Sequence, residues 1–226
     1  MTEGTKPPIH RLTKQELVFL ATHYCKHGHT YLQHYACYQP GDVERIGFLD
    51  IEASNLDADF GIVLCYCIKD HNSKKIYEAV LKPQDLKTAR AGDEDKEVIK
   101  RCIEDVAKFD RLVTYYGTGF DLPFLRARAV VCGVDFPVYG SIKHTDLYYI
   151  VRNKFKLSSR RLENACRVLL GRTQKTRIEN AFWRGAVRGD KKSLQYVLDH
   201  CQKDVLDLEL LYKKVIEFSL AKGASI

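Results

Sequence analysis

Four acidic residues and one histidine stand at spacings that could hold metal ions. Asp50 and Glu52 are two apart in the apolar run Ile46-Gly47-Phe48-Leu49-Asp50-Ile51-Glu52, and side chains two apart on a strand leave the same face. Two like charges side by side favour a cation between them; taken alone, the pair also fits a solvent-facing strand. Asp121 follows the turn Tyr116-Gly117-Thr118-Gly119-Phe120 and opens a helix at Leu122-Pro123-Phe124-Leu125, where an acidic residue also serves as an N-terminal cap. His200 and Asp204 are four apart beside the packing stripe Val197, Cys201, Val205, Leu208 and Tyr212, so they share one helical face. Carboxylates of this kind suit Mg²⁺ or Mn²⁺, which prefer oxygen ligands and keep several waters. Two such ions side by side can activate a water and neutralise a leaving group. A histidine beside them, with an ordinary pKa near 6.5, is placed to take a proton from water near neutral pH.

A second group has softer donors. Cys25, His27, His29, His34 and Cys37 fall within 13 residues. Zn²⁺ takes four nitrogen or sulfur ligands in a tetrahedron, so Cys25, His29, His34 and Cys37 read as a C-x3-H then H-x2-C set, with His27 as a substitute. That spacing is tighter than in common zinc fingers, and a polar loop with incidental histidines fits the same residues. The remaining chemistry is charge. Between Ile150 and Lys192 there are 13 Lys and Arg against Glu163, Glu179 and Asp190, more positive charge than the whole chain's net +7. An arginine-rich strip suits a polyanion backbone, because guanidinium forks match phosphate oxygens. Arg160, Arg161 and Lys175 are its candidate phosphate contacts. Phe182-Trp183, within the strip, could stack a base or pack in the core.

These residues need a scaffold. At 226 residues, 45% hydrophobic and 29% charged, the chain can bury a substantial core and has the size of one domain with a small appendage. It shows neither a secretory h-region nor a span of roughly 20 apolar residues. The expectation is therefore a cytoplasmic, intracellular protein whose eight cysteines are thiols or metal ligands rather than disulfides. Thr13-Lys14-Gln15-Glu16 has the capping-box spacing for a helix carrying Leu17, Phe19, Leu20 and Tyr24. Apolar runs over 46–52, 61–68 and 75–80, joined by short polar turns, predict an antiparallel meander. An amphipathic helix over 93–109 and a strand Leu112-Val113-Thr114-Tyr115 then make a strand-helix-strand crossover. Helices are expected over 121–132, 146–155, 158–170 and 191–218, with a polar loop from Gly171 to Ile178. Strands first, then mixed elements and helices, predict an α/β fold over residues 43–226, a central mixed sheet flanked by helices. Residues 1–42 form the appendage with the Cys/His cluster.

The blocks Phe48-Leu49-Asp50-Ile51-Glu52-Ala53, Val113 to Leu125 and His200-Cys201-Gln202-Lys203-Asp204-Val205 resemble, in order, the three motifs of the DEDD superfamily of 3′–5′ exonucleases. Between the second and third, Thr145-Asp146-Leu147-Tyr148, Leu157 to Asn164, Leu170-Gly171 and Lys175-Thr176 resemble the proofreading domains of family B DNA polymerases and stand-alone ribonuclease H-like exonucleases. The similarity runs from about Arg45 to Tyr212. Two positions depart from it: His200 occupies the spacing of tyrosine in a Tyr-x-x-x-Asp third motif, and Tyr116 stands where the second motif usually has Asn. The resemblance implies a ribonuclease H-like fold and a metal-dependent 3′–5′ exonuclease that acts on single-stranded DNA or RNA ends and releases nucleoside 5′-monophosphates. It also implies two Mg²⁺ or Mn²⁺ ions on Asp50, Glu52, Asp121 and Asp204, with His200 as general base. Leu56 resembles a residue that wedges against the terminal base, and also reads as a core leucine; Asp146 reads as a helix N-cap. The alternatives are an endonuclease on the same fold and a non-catalytic nucleic-acid-binding module that keeps the basic strip.

Overall fold

The computed structural model describes residues 9, 12, 14–38, 43–138, 140–174 and 179–219. Thr13 of the expected capping box, together with Lys175 and Thr176, lies outside them. The expected meander is present: β1 (Ile46–Ala53), β2 (Val63–Asp70) and β3 (Ile76–Val80) pair antiparallel in sequence order. The chain then crosses through α2 (Asp85–Thr88) and α3 (Lys96–Val106) to β4 (Arg111–Thr114), which runs parallel to β1. A fifth strand, β5 (Lys143–Asp146), pairs parallel to β4, so the sheet order is β3-β2-β1-β4-β5.

Strand β5 departs from the expected elements, because Lys143-His144-Thr145-Asp146 has no apolar alternation. Its register is set from outside, by backbone pairing of Arg111 with Lys143 through Thr114 with Asp146, and by Arg111 Nη1 donating to Thr145 Oγ1 at 2.7 Å. Tertiary pairing overrides weak strand propensity here. The other helices are α4 (Asp121–Cys132), α5 (Leu147–Lys154), α6 (Leu162–Leu170), α7 (Asn180–Val187) and α8 (Lys191–Val215). The last expected helix ends its α-helical part at Val215 and continues as a 3₁₀ turn, Ile216–Ser219. Helix α7, between the polar loop and α8, is an addition to the expected elements.

Strand alternation gives the sheet two working faces. Phe48, Asp50 and Glu52 of β1 lie opposite Lys69, Cys67 and Cys65 of β2. That face meets α8, as the Phe48–Tyr212 ring contact at 5.3 Å and the Lys69–Glu209 ion pair at 3.0 Å show. On the other face Tyr66 donates its hydroxyl to Asp105 of α3 at 2.6 Å. The amphipathic stripe of α3, Val98, Ile99, Cys102 and Val106, is buried there. A buried ion pair ties this layer together: Arg128 of α4 meets Asp95, just before α3, at 2.6 and 3.0 Å, and Val63 N donates to the same carboxylate at 2.8 Å. With its partners supplied, the charge is tolerated; without Arg128 it would cost about 3–5 kcal/mol.

The first helix, α1 (Lys14–Thr22), belongs to a separate small apolar cluster of Leu12, Leu20 and Tyr38. Glu16 accepts a hydrogen bond from the Tyr38 hydroxyl at 2.9 Å. Among the described residues, no helix is long and apolar enough to cross a membrane.

Candidate active site

The carboxyl ends of β1, β4 and β5 converge, and the expected acidic residues lie there. Ligand atoms of Glu52, His200 and Asp204 fall within 4.8 Å of one another. Helix α8 supplies the last two from one face, and both are buried. Asp50 and Asp204 line one cleft of about 500 Å³. Asp121 joins from α4, where its Oδ1 accepts from the backbone N–H of Ile51 at 3.1 Å, between Asp50 and Glu52. The capping explanation for Asp121 therefore fails: Phe120 holds the N-cap position, and the Asp121 carboxylate is turned to β1.

The thiols behind the carboxylates are neutral. Burial pushes Cys65 up to about 11 and holds Cys201 well above the usual thiol range. Cys201 Sγ donates to the carbonyl of Asp50 at 3.3 Å, fixing α8 against β1 one residue from His200. Cys65, Cys67, Cys102, Cys132 and Cys166 are all buried, as small apolar core residues are.

The turn that delivers Asp121 is pinned by Asp146. Its Oδ1 accepts from Tyr116 N at 2.8 Å and its Oδ2 from Thr118 N at 3.0 Å. The same carboxylate caps α5 by accepting from Tyr148 N at 3.1 Å. The cap reading of Asp146 holds and is incomplete, since one side chain serves both the helix and the turn. Tyr116, the residue that departs from the second motif, adopts φ +69° and its carbonyl accepts from Gly119 N and Phe120 N. Gly117 is required by close approach, since a Cβ there would overlap the buried Thr114, whereas a Cβ on Gly119 would meet only the outer end of the Tyr116 ring. Thr114 Oγ1 in turn shares a hydrogen bond with His144 Nε2 at 2.9 Å. Burial lowers the pKa of His144, which favours the neutral ring in that contact.

Three tyrosines that the sequence did not single out as site residues line the cleft with Asp50 and Asp204: Tyr115, Tyr116 and Tyr148. Tyr116 and Tyr148 meet edge to face at 4.8 Å, and Tyr115 donates its hydroxyl to the Arg160 carbonyl at 2.6 Å. The signal was present as a cluster of aromatic residues on either side of pinned turns. Arg160 and Arg161 line the same cleft. Arg160 also borders an adjoining hollow with Arg152, Lys154 and Lys156, so the first part of the basic strip adjoins the cleft. Lys175 lies outside the described residues.

Glu52 also borders a second hollow with Ser54, Asn55, Leu56, Phe120 and Trp183. Leu56 is 79% exposed, which removes its reading as a core leucine. Trp183 packs partly against the core while lining this hollow, and Phe182 stacks on Tyr196 at 4.3 Å.

In the appendage, the group that comes together is Cys25, His27, His34 and Cys37, with ligand atoms within 4.8 Å of one another. His29, expected as a ligand with His27 as substitute, is not in that group. Its carbonyl accepts from Cys25 N at 2.8 Å, and its ring stands edge-on to His34 at 5.8 Å, outside the four gathered ligand atoms.

A mixed sheet carries acidic residues from β1, α4 and α8 at one end, with Arg160 and Arg161 beside them. Residues 47–216 match the family model described as RNase_H superfamily, and the chain belongs to that superfamily of nuclease-type hydrolases. Over 151 residues it is 28% identical to a DNA polymerase of Methanocaldococcus jannaschii, covering 54% of this chain and 9% of that protein. In fold it is similar to the family B DNA polymerase of Pyrobaculum calidifontis, with a TM-score of 0.62 at 20% identity over 76% of this chain and 24% of the polymerase. The chain thus corresponds to a small part of each polymerase's length.

Proposed function

We propose that the protein is a metal-dependent 3′–5′ exonuclease acting on single-stranded DNA or RNA ends and releasing nucleoside 5′-monophosphates. The observation that carries the reading is the gathering of Glu52, His200 and Asp204 within 4.8 Å, beside a cleft that Asp50 lines with Asp204. The donor set fits the implied ions: Asp50, Glu52, Asp121 and Asp204 offer hard carboxylate oxygens, the preference of Mg²⁺ and Mn²⁺. Two such ions, when bound, supply an activated water and neutralise charge on the leaving oxygen.

The chain's own groups do the rest. His200 accepts the proton of the attacking water at a ring nitrogen that faces Glu52 and Asp204. Tyr116 and Tyr148 offer ring surface on which unpaired bases stack, the mode by which single strands are held without sequence preference. Arg160 and Arg161 hold the backbone phosphates that lead into the cleft. Leu56 and Phe120, across Glu52, offer apolar contact to the terminal base.

End-labelled single-stranded DNA and RNA incubated with Mg²⁺ or Mn²⁺ test this directly. A ladder that shortens from the 3′ end and yields 5′-mononucleotides is expected. Cleavage of a circular single strand at a comparable rate would replace the exonuclease with an endonuclease, and binding without cleavage would leave a recognition module.

A further inference from the structure

The structure assigns a second metal centre, distinct from the carboxylates: we propose that Cys25, His27, His34 and Cys37 bind one structural Zn²⁺. Cys25 Sγ lies 3.9 Å from His27 Nδ1 and 3.6 Å from His34 Nδ1; Cys37 Sγ lies 3.3 and 3.6 Å from the same two atoms. A tetrahedral zinc with Zn–S near 2.3 Å and Zn–N near 2.05 Å separates sulfur from nitrogen by about 3.6 Å. All four cross-distances scatter about that value. Hydrogen bonding among the four groups does not account for the geometry. Two thiols carry one weak donor each, and one Nδ1 of a neutral ring is either a donor or an acceptor, so four sulfur–nitrogen contacts exceed the protons able to fill them.

The backbone prepares the site. Gly28 N donates to Cys25 O at 2.9 Å with Gly28 at φ +79°, and Tyr24 and Thr30 bridge antiparallel behind the turn. This hairpin presents Cys25 and His27 together. The second pair comes from a 3₁₀ turn, Tyr35–Cys37, in which Cys37 N donates to His34 O at 3.0 Å. His29 is left beside the site, its ring edge-on to His34 at 5.8 Å.

Chemistry selects the ion. Two thiolates and two imidazoles are the soft to borderline donors that zinc takes, and they cancel its charge, whereas Mg²⁺ and Mn²⁺ prefer the carboxylates. Four protein ligands leave no open position for water, so the role is structural. Among the described residues, the neighbouring apolar cluster has three buried members, Leu12, Leu20 and Tyr38, a small core for such a segment. A bound ion supplies the missing folding energy.

The test uses the full chain purified without added metal. Elemental analysis should find one zinc per chain, lost in His27→Ala and Cys37→Ser and retained in His29→Ala and Asp204→Ala. Replacing zinc by Co²⁺ in the wild type should give tetrahedral visible bands with thiolate-to-cobalt charge transfer. That measurement and the His29→Ala zinc content decide the matter even where His27→Ala fails to fold. Wild-type protein that takes up neither zinc nor cobalt would overturn the proposal, as would zinc lost from His29→Ala and kept in His27→Ala. Because zinc content is read without substrate, failure of the exonuclease reading would leave this result intact.

Discussion

Carboxylates gathered to hold metal, as proposed for Asp50, Glu52, Asp121 and Asp204, would repel one another before any ion arrives. Removing one carboxylate relieves repulsion in the metal-free protein while deleting a ligand. Asp50→Ala and Asp204→Ala should therefore abolish hydrolysis and leave the thermal unfolding midpoint close to that of the wild type. His200→Ala should be milder, with a rate loss of about 10²–10⁴-fold, the usual contribution of a positioned base. Initial rates on a labelled single strand, with unfolding curves alongside, separate the two outcomes. Full activity in Asp204→Ala would remove it from the metal set. At this scale the sequence was legible where period alone places a side chain: two apart on β1, four apart on α8. It was less so for Asp121, where a cap and a strand-facing carboxylate have the same local spacing, and only the contact with Ile51 N decides between them.

Elements carry the same lesson in a different form. The meander follows from its apolar runs, with β1 and β2 buried on both faces, and α3, α4 and α8 follow from apolar spacing along each helix. Strand β5 and helix α7 do not: β5 takes its register from β4, and α7 packs on α8 with Gly185 against Ser193. Neither partner is visible from the local residues. Asp146, at the end of β5, shows what such an element contributes, since it satisfies the N–H groups of Tyr116, Thr118 and Tyr148 at once. Asp146→Ala loses a helix cap and frees the turn ahead of Asp121, at a cost of about 2 kcal/mol. Activity should fall with stability, although Asp146 itself lies outside the carboxylate set. Asp146→Asn keeps an Oδ1 acceptor for Tyr116 and Tyr148, so it should fall between alanine and the wild type in both urea unfolding and kcat/KM. An alanine variant of full stability and activity would show that the glycine turn holds itself.

For the molecule as a whole, α8 joins the site to the opposite end of the sheet, and the charges along its surroundings divide into solvated and buried sets. Arg160 and Arg161 are exposed beside the cleft, so their replacement by Ala should leave stability unchanged. It should flatten the dependence of log K on log salt by about 0.7 for each phosphate of a single strand that is no longer neutralised. An unchanged slope would make them a solvated face. Glu209, five residues beyond Asp204 on α8, belongs to the buried set. It meets Lys69 at 3.0 Å, His71 at 3.1 Å and Lys213 at 2.9 Å, and accepts from Asn72 N at 2.8 Å. Burial alone would raise its pKa, but the bonds from His71, Asn72, Lys213 and Lys69 outweigh that and hold it well below the ordinary value of 4.5. A carboxylate depressed in the folded state stabilises the fold above its unfolded pKa, and that stability is lost as pH falls from about 4.5 toward the folded value. Glu209→Gln leaves Lys69, 5% exposed at the side chain, without its countercharge. At pH 7 the variant should be less stable by about 3 kcal/mol, or about 6–12 °C in Tm for a chain of this size. Since protonated Glu209 and Gln are alike in charge, the gap between the two proteins should narrow as pH drops below about 4.5. Urea unfolding of both at pH 7, 5, 4 and 3 reads this; a gap that stays constant across the series would mean that the charge on Glu209 does not anchor α8 to the sheet.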